Sequence, residues 1–228
     1  MKPKTFFLLH LFFIFLVAGV SASDSIPGHK KGLLSFRAGY TYNTVYGSMV
    51  DRNEQFDPES KMKKKSGFLI QVDWKLKLAG DVSVKSGIGF IYKQVFPQED
   101  SYVYYQDKLK TGYLIIPALI SADLFPEESM FGFSPELGVA ANVRIIDKSY
   151  RPEDRGFRTS FLTASLCAGA MISVKLDAKT KFLLQYNYMH DISDTYIERL
   201  YWSSAEPDKK FVYRYKTSAI SLGFQWPL

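Results

Sequence analysis

Cysteine is almost missing from this chain. Cys167 is the only one in 228 residues, so no internal disulfide can form, and an exported product must be held together by packing and strand pairing. Long apolar runs are missing too once the first 22 residues are passed. No uncharged stretch of membrane-helix length follows, and the longest uncharged run, between Arg158 and Lys175, contains a glycine and many small residues. This excludes a transmembrane helix from the body of the protein. Histidine is scarce, with three residues, and no zinc-ligand cluster, phosphate loop or EF-hand pattern occurs, so no cofactor or metal is expected. An excess of one charge sign is also lacking. The formal charge of +6 falls to about +4 when Lys2 and Lys4 are set aside with the N-terminal segment. The one dense basic run, KMKKK at 61–65, reads as a solvated loop. Nucleic acid is therefore not an expected partner.

The N-terminus carries a recognisable export signal. MKPKTFFLLHLFFIFLVAGVSAS has a basic start, an apolar run from about Phe6 to Val20 and small residues at the end. Residues 1–22 read as a cleaved secretory signal peptide, with an uncleaved anchor as the alternative that the short apolar run disfavours. Residues 23–32 read as a short linker and 33–228 as one domain. Subtracting 22 from 228 leaves about 206 residues, a size that fits a single barrel.

In that domain the recurring period is two. In GFLIQVDWKLK, Phe68, Ile70, Val72, Trp74 and Leu76 alternate with Leu69, Gln71, Asp73, Lys75 and Lys77. A side-chain period of two is the geometry of a strand with two unlike faces. The same reading predicts eight strands at about 33–42, 67–77, 82–93, 109–122, 130–144, 160–175, 181–191 and 211–226. Short connections (78–81, 123–129, 176–180) alternate with long polar ones (43–66, 94–108, 145–159, 192–210). The expected fold is thus all-β: a single eight-stranded antiparallel up-and-down transmembrane β-barrel, with long extracellular loops and short periplasmic turns.

Alternation alone does not say whether the apolar face points into a core, as in a lipocalin-like carrier, or out to lipid. Three features favour lipid. The opposite face combines charges of both signs (Arg37, Asp73, Lys85, Glu136) with small residues, which suits the narrow interior of an eight-stranded barrel. Aromatic residues recur near strand ends (Tyr40, Tyr42, Trp74, Tyr92, Tyr113, Tyr188, Trp226), as an interfacial girdle requires. Closure, finally, is the only β arrangement that satisfies every backbone group in hydrocarbon. Arg37, Asp73, Lys85 and Glu136 are therefore expected to form a lumen polar network, paired as Arg37 with Glu136 or Asp73 with Lys85. In the terminal SAISLGFQWPL, residues Ile220, Leu222, Phe224 and Trp226 are expected to face lipid along a seam with residues 33–42.

Several blocks resemble a known family. YLIIPALI at 113–120 is similar to the tyrosine-leucine-x-isoleucine-proline segment of small PorT-like outer-membrane β-barrel proteins. LLSFRAGYTYN, LGVAANV, FLLQYNYMHDISD and the terminal ISLGFQW resemble that family's other strand blocks. Ile115 stands where the family commonly has an acidic residue, and Pro227-Leu228 follow the aromatic on which such barrels usually finish. The resemblance implies an integral outer-membrane barrel; members range from a protein-secretion accessory to proteins without known activity.

The leading functional expectation is a non-enzymatic outer-membrane protein, exported by its signal peptide and acting as a monomer. Its partners would be outer-membrane lipid and lipopolysaccharide, with a protein engaged at the loops or the periplasmic rim. The tyrosines and tryptophan at Tyr102, Tyr104, Tyr105, Tyr196, Tyr201 and Trp202 serve equally as a recognition surface or as strand extensions. The runner-up is a lipid-modifying acyl hydrolase or transferase using His190, Asp191 and Ser193, although alternation puts His190 and Ser193 on opposite faces. The third reading is a soluble secreted carrier.

Overall fold

The computed structural model describes residues 32–49, 62–97, 109–126, 128–148, 156–200 and 209–228. The signal-peptide reading lies outside these residues, as does the linker up to residue 31. So do the segments bearing Tyr102, Tyr104, Tyr105, Tyr201 and Trp202.

Ten strands are present among the described residues. They are β1 (Leu33–Met49), β2 (Met62–Ala79), β3 (Val82–Pro97), β4 (Leu109–Ala122), β5 (Phe131–Asp147), β6 (Gly156–Thr159), β7 (Leu162–Lys175), β8 (Lys181–Asp191), β9 (Tyr196–Leu200) and β10 (Lys209–Pro227). Eight of them, in the order β1-β2-β3-β4-β5-β7-β8-β10, form an antiparallel sheet that β10 closes onto β1. The closing ladder runs from Leu33 opposite Pro227 to Met49 opposite Phe211. All eight expected strands are found in the expected order, and the sheet is a closed up-and-down barrel.

At one end the connections are tight for identifiable reasons. Gly80 and Asp81 form a two-residue hairpin loop between Ala79 and its partner Val82. Gly80 there adopts φ +54°, which a side chain would resist. Between β7 and β8, Asp177 Oδ1 accepts the backbone N–H groups of Lys179 (2.7 Å) and Thr180 (2.8 Å). These two donors, Lys179 first, hold the exposed Asp177 carboxyl below its usual range.

The strands are longer at the other end than the sequence suggests. Residues 43–49, 62–66, 94–97 and 145–147, expected in long loops, continue β1, β2, β3 and β5. In these short stretches polar and apolar residues do not alternate cleanly, so the period-two signal fades although the backbone ladder continues. Two further strands, β6 and β9, lie in segments expected to be loop. They pair with each other, and β9 also pairs with β10, so they extend β7 and β8 past a local break. The break is itself hydrogen-bonded. Ser160 N–H donates to the Thr195 carbonyl (2.9 Å) and Ile192 N–H to the Ala164 carbonyl (2.8 Å).

Pro117, in the middle of β4, cannot donate to the ladder. The β3–β4 register accordingly skips from Ser86 opposite Ala118 to Gly89 opposite Ile115. The Ser86 hydroxyl donates to the Pro117 carbonyl at 2.8 Å across that gap.

Candidate functional site in the barrel lumen

The polarity of this barrel is inside out. Each of the eight barrel strands exposes a large apolar residue outward: Phe36, Ile70, Ile88, Ile120, Leu137, Leu166, Leu184 and Leu222. The interior holds instead Arg37, Asp73, Lys85, Lys93, Glu136, Gln185 and Asp191, each at most 4 % exposed. Ile220, Leu222, Phe224 and Trp226 all point outward, and the intervening Ala219, Ser221, Gly223 and Gln225 point in. Ile115, at the position where the resembled family is commonly acidic, is buried among the interior apolar residues.

Arg37, Asp73, Lys85 and Glu136 meet in one cluster, but not with the expected partners. Arg37 donates through Nε (2.9 Å) and Nη2 (2.6 Å) to Asp73 Oδ2. Lys85 Nζ donates to both oxygens of Glu136 (2.6 and 2.8 Å). The pairs are therefore Arg37–Asp73 and Lys85–Glu136, which corrects the pairing drawn from sequence. Arg37 stands on β1 next to β2, which carries Asp73, whereas Glu136 lies on β5. Strand order brings Arg37 to Asp73, whereas Lys85 on β3 reaches past β4 to Glu136 on β5, and alternation reports neither partner.

Gln185 on β8 ties the two pairs together. Its Oε1 accepts from Arg37 Nη1 and from Lys85 Nζ (3.2 Å), and its Nε2 donates to Glu136 Oε2. Gln71 donates to the remaining Asp73 oxygen. A buried ionic cluster is tolerated only when its charges balance and its donors and acceptors are met, and two cations face two anions here. Sequence reasoning missed Gln185 because it selected charges. The signal was nonetheless present, since Gln185 occupies an inward register position in FLLQYNYM.

Two further pairs flank this centre along the barrel. Towards the long-loop end, Lys93 Nζ lies 3.4 Å from Asp191 Oδ1 and sits over the rings of Tyr113 and Tyr215, 5.2 and 5.0 Å from their centroids. Tyr113, expected in an outer aromatic girdle, is thus an interior residue, 1 % exposed. It falls on the inward phase of β4, so alternation overrules its place near the strand end. At the short-turn end, Lys75 Nζ donates to Asp123 Oδ1 (2.5 Å), which also accepts from Ser134 Oγ (2.5 Å). Burial opposes ionisation of Asp123. The hydrogen bonds from Lys75 and Ser134 and the nearby lysine charges outweigh it and hold the carboxyl below its usual range. This pair lines a vestibule of about 70 Å³ that opens at the short turns.

Three of the four central charges have glycine opposite them. Arg37 faces Gly223, Asp73 faces Gly87, and Glu136 faces Gly169. A methyl group at Gly223 would lie 2.1 Å from the Phe36 carbonyl oxygen and 2.7 Å from Arg37 Cγ. Glycine therefore makes room for close strand approach and for the long charged side chains. Gly223→Ala is expected to cost about 1–3 kcal/mol through overpacking, measured by denaturant unfolding in detergent. Ser221→Ala on the same strand, which removes a buried hydroxyl without a hydrogen-bond partner among the described residues, is expected to cost little. A Gly223→Ala cost no larger than that of Ser221→Ala would refute the packing argument.

The acyl-transfer candidates do not converge. Asp191 is interior, where its carboxylate accepts from Ser165 Oγ (2.6 Å) and Thr195 Oγ1 (3.0 Å). His190 is on the outer face, its Nε2 2.7 Å from Tyr46 Oη. Ser193 lies in the break between β8 and β9, and its Oγ accepts the Ala164 backbone N–H at 2.7 Å. Among the described residues no group of three histidine, cysteine or acidic side chains is placed to hold a metal.

No protein-family model matches the chain, and no curated protein sequence matches it either. Solved structures with similar folds are outer-membrane proteins. A major outer membrane protein from Thermus thermophilus is 11 % identical, over 85 % of this chain and 99 % of that one, with a TM-score of 0.47. Outer membrane protein W of E. coli is 7 % identical, over 88 % and 100 %, with a TM-score of 0.44. The attachment invasion locus protein of Yersinia pestis is 14 % identical, over 86 % and 99 %, with a TM-score of 0.39.

Proposed function

We propose that the protein is an integral outer-membrane β-barrel whose lumen is plugged by its own side chains and which acts without catalysis, through its loops or its short-turn rim. One observation carries this reading: the closed sheet exposes an apolar residue on every barrel strand and buries ion pairs. In water that arrangement would expose a large apolar surface and bury charge at the same time, both unfavourable. In hydrocarbon it satisfies every backbone group and gives lipid an apolar wall. A soluble carrier would bury its apolar face around a ligand, whereas this interior is filled by ion pairs and polar side chains packed together with an apolar cluster that includes Leu69, Ile91 and Ile115. Export through residues 1–22, a mature start near Ser23 and kinship with PorT-like barrels belong to the same reading, supported by the sequence blocks quoted above. An accessory role in protein secretion or surface assembly, played by a monomer, follows from that kinship.

The test uses the outer wall. Leu222 is 52 % exposed, and in a soluble protein Leu222→Arg would shift stability within about 0.5 kcal/mol. At mid-bilayer it is expected to cost roughly 2–4 kcal/mol, as is Val72→Arg. Folding titrations in phospholipid vesicles read the difference, and Arg tolerated at both positions would sink the membrane reading. Loss of an acyl-transfer activity on His190→Ala or Ser193→Ala would instead revive the enzyme.

A further inference from the structure

Outside the barrel, near the long-loop end, aromatic and cationic side chains from β1, β8 and β10 come together in a way the lumen does not need. Tyr46 on β1 is stacked on His190 of β8, with ring centroids 4.8 Å apart. Its hydroxyl donates to the Asp191 carbonyl (2.6 Å) and lies 2.7 Å from His190 Nε2. The hydroxyl proton is used on the carbonyl, and the same oxygen stays within hydrogen-bond reach of the His190 ring nitrogen. The ring pair is thereby fixed. Lys216 on β10 stands over the tyrosine of the stack, its Nζ 4.8 Å from the Tyr46 centroid. The ladder places Lys216 opposite His190 on one side and Thr44 on the other. Arg214, opposite Tyr46, is anchored by Asp194 through Nε (3.2 Å) and Nη2 (2.9 Å) and keeps 36 % of its side chain exposed.

The height of this cluster on the wall is informative. On β10 the outward series runs Trp226, Phe224, Leu222, Ile220, Ser218, Lys216, Arg214, so the apolar side chains stop at Ile220 and the charges begin at Lys216. Trp226 and Lys216 are ten residues apart (226 − 216). At about 3.4 Å per residue and a tilt of roughly 40°, that is about 26 Å along the barrel axis, and the apolar band of such barrels is about 25 Å tall. If Trp226 marks one boundary of the hydrocarbon, Lys216 and the Tyr46–His190 stack stand at the other, where lipid headgroups are.

We propose that Lys216 and Arg214, on the platform made by Tyr46 and His190, form a binding site for the phosphate group of a membrane lipid in the leaflet at the long-loop end. This deepens the membrane reading above and rests on it. Charge supports the assignment: two cations, Lys216 and Arg214, stand two residues apart on the outward face of β10. Charge-assisted hydrogen bonds from ammonium and guanidinium are the strong contacts available to a phosphate. The aromatic rings restrict the lysine by a cation–π contact and suit the interfacial depth.

The test compares two glycolipid probes that differ only in phosphate: bis-phosphorylated lipid A and the same lipid dephosphorylated. Each is titrated onto the full barrel in neutral detergent and followed by native mass spectrometry. The wild type is expected to retain the phosphorylated form about tenfold more tightly, which corresponds to about 1.4 kcal/mol. Lys216→Gln, which leaves the Arg214–Asp194 pair intact, should remove most of that preference, and Lys216→Gln with Arg214→Gln should remove all of it. Lys77→Gln with Lys179→Gln, at the short-turn end, makes the same charge change and should leave the preference in place. Heat-modifiable migration reports that each variant is closed, and the wild-type comparison of the two lipids stands even if a variant fails to fold. Equal retention of both lipids by the wild type would overturn the site, as would equal loss in the Lys77/Lys179 variant or competition by inorganic phosphate at the lipid's own concentration. Flotation of the wild type with phosphatidylcholine vesicles reads membrane insertion separately, so failure of the phosphate site and failure of the membrane reading give different results.

Discussion

Removing residues 218–228 is expected to abolish barrel closure, so that the chain migrates on a gel at the same position with and without heating. The structure shows why so short a deletion is decisive. This segment pairs with β1 from Leu33 to Tyr42 and with β8 from Lys181 to Tyr188, so its loss strips two strands at once. In hydrocarbon each unmet backbone donor or acceptor costs on the order of several kcal/mol, and a single domain has only about 5–15 kcal/mol of net stability to lose. Deleting Pro227 and Leu228 alone is expected to be mild. It removes one backbone bond outside the ladder proper, from Leu228 N–H to the Gly32 carbonyl, worth about 1 kcal/mol. Phe224→Asp and Trp226→Asp should both be worse than Gln225→Asp. The first two put a charge on the outer wall, whereas Gln225 lines the polar vestibule beside Lys75 and Lys181. Normal heat-modifiability after loss of all eleven residues would mean that the chain end is no seam.

That seam was legible because its information is local. Ile220, Leu222, Phe224 and Trp226 sit two residues apart, and a period of two assigns all four to one face whatever the strand pairs with. The same reasoning placed Arg37, Asp73, Lys85 and Glu136 inside. Who meets whom inside was not legible, because partners are set by strand order and register, which are not local properties. Hence Arg37 finds Asp73 on the adjacent β2 rather than Glu136 on β5. The opposition of Gly223 to Arg37 and Gly87 to Asp73 was hidden for the same reason: each half of the motif lies on a different strand. Tyr113 shows the reverse failure. A residue type typical of the interface was assigned by composition to the wall, and its phase within YLIIPALI puts it inside. The strand extensions at 43–49 and 62–66 escaped because neither face there carries an unbroken apolar series. The breaks at Ser160 and Ser193 escaped because cross-strand hydrogen bonds between loop-like residues leave no periodic trace.

The lumen cluster carries the second large effect. Asp73→Ala leaves Arg37, which is fully buried, without its carboxylate, and a broken buried pair typically costs about 3–5 kcal/mol. Arg37→Met together with Asp73→Leu removes both charges and restores apolar packing, so the double variant is expected to be more stable than Asp73→Ala. A double-mutant cycle in detergent unfolding then reports a coupling of about 1–3 kcal/mol for residues in direct contact. The shared amide makes a sharper prediction. Because Gln185 accepts from both Arg37 and Lys85 and donates to Glu136, Gln185→Leu should weaken both ion pairs, and its effect should be non-additive with Asp73→Ala and with Glu136→Gln alike. Additivity with either would mean that the two pairs are independent and that Gln185 is no hub. The same balance predicts negligible conductance in planar bilayers, since an ion crossing the lumen would have to pull both cations away from anions whose other hydrogen bonds are already made. A stable open channel in the wild type would show that the cluster does not plug the barrel, whatever its contribution to stability.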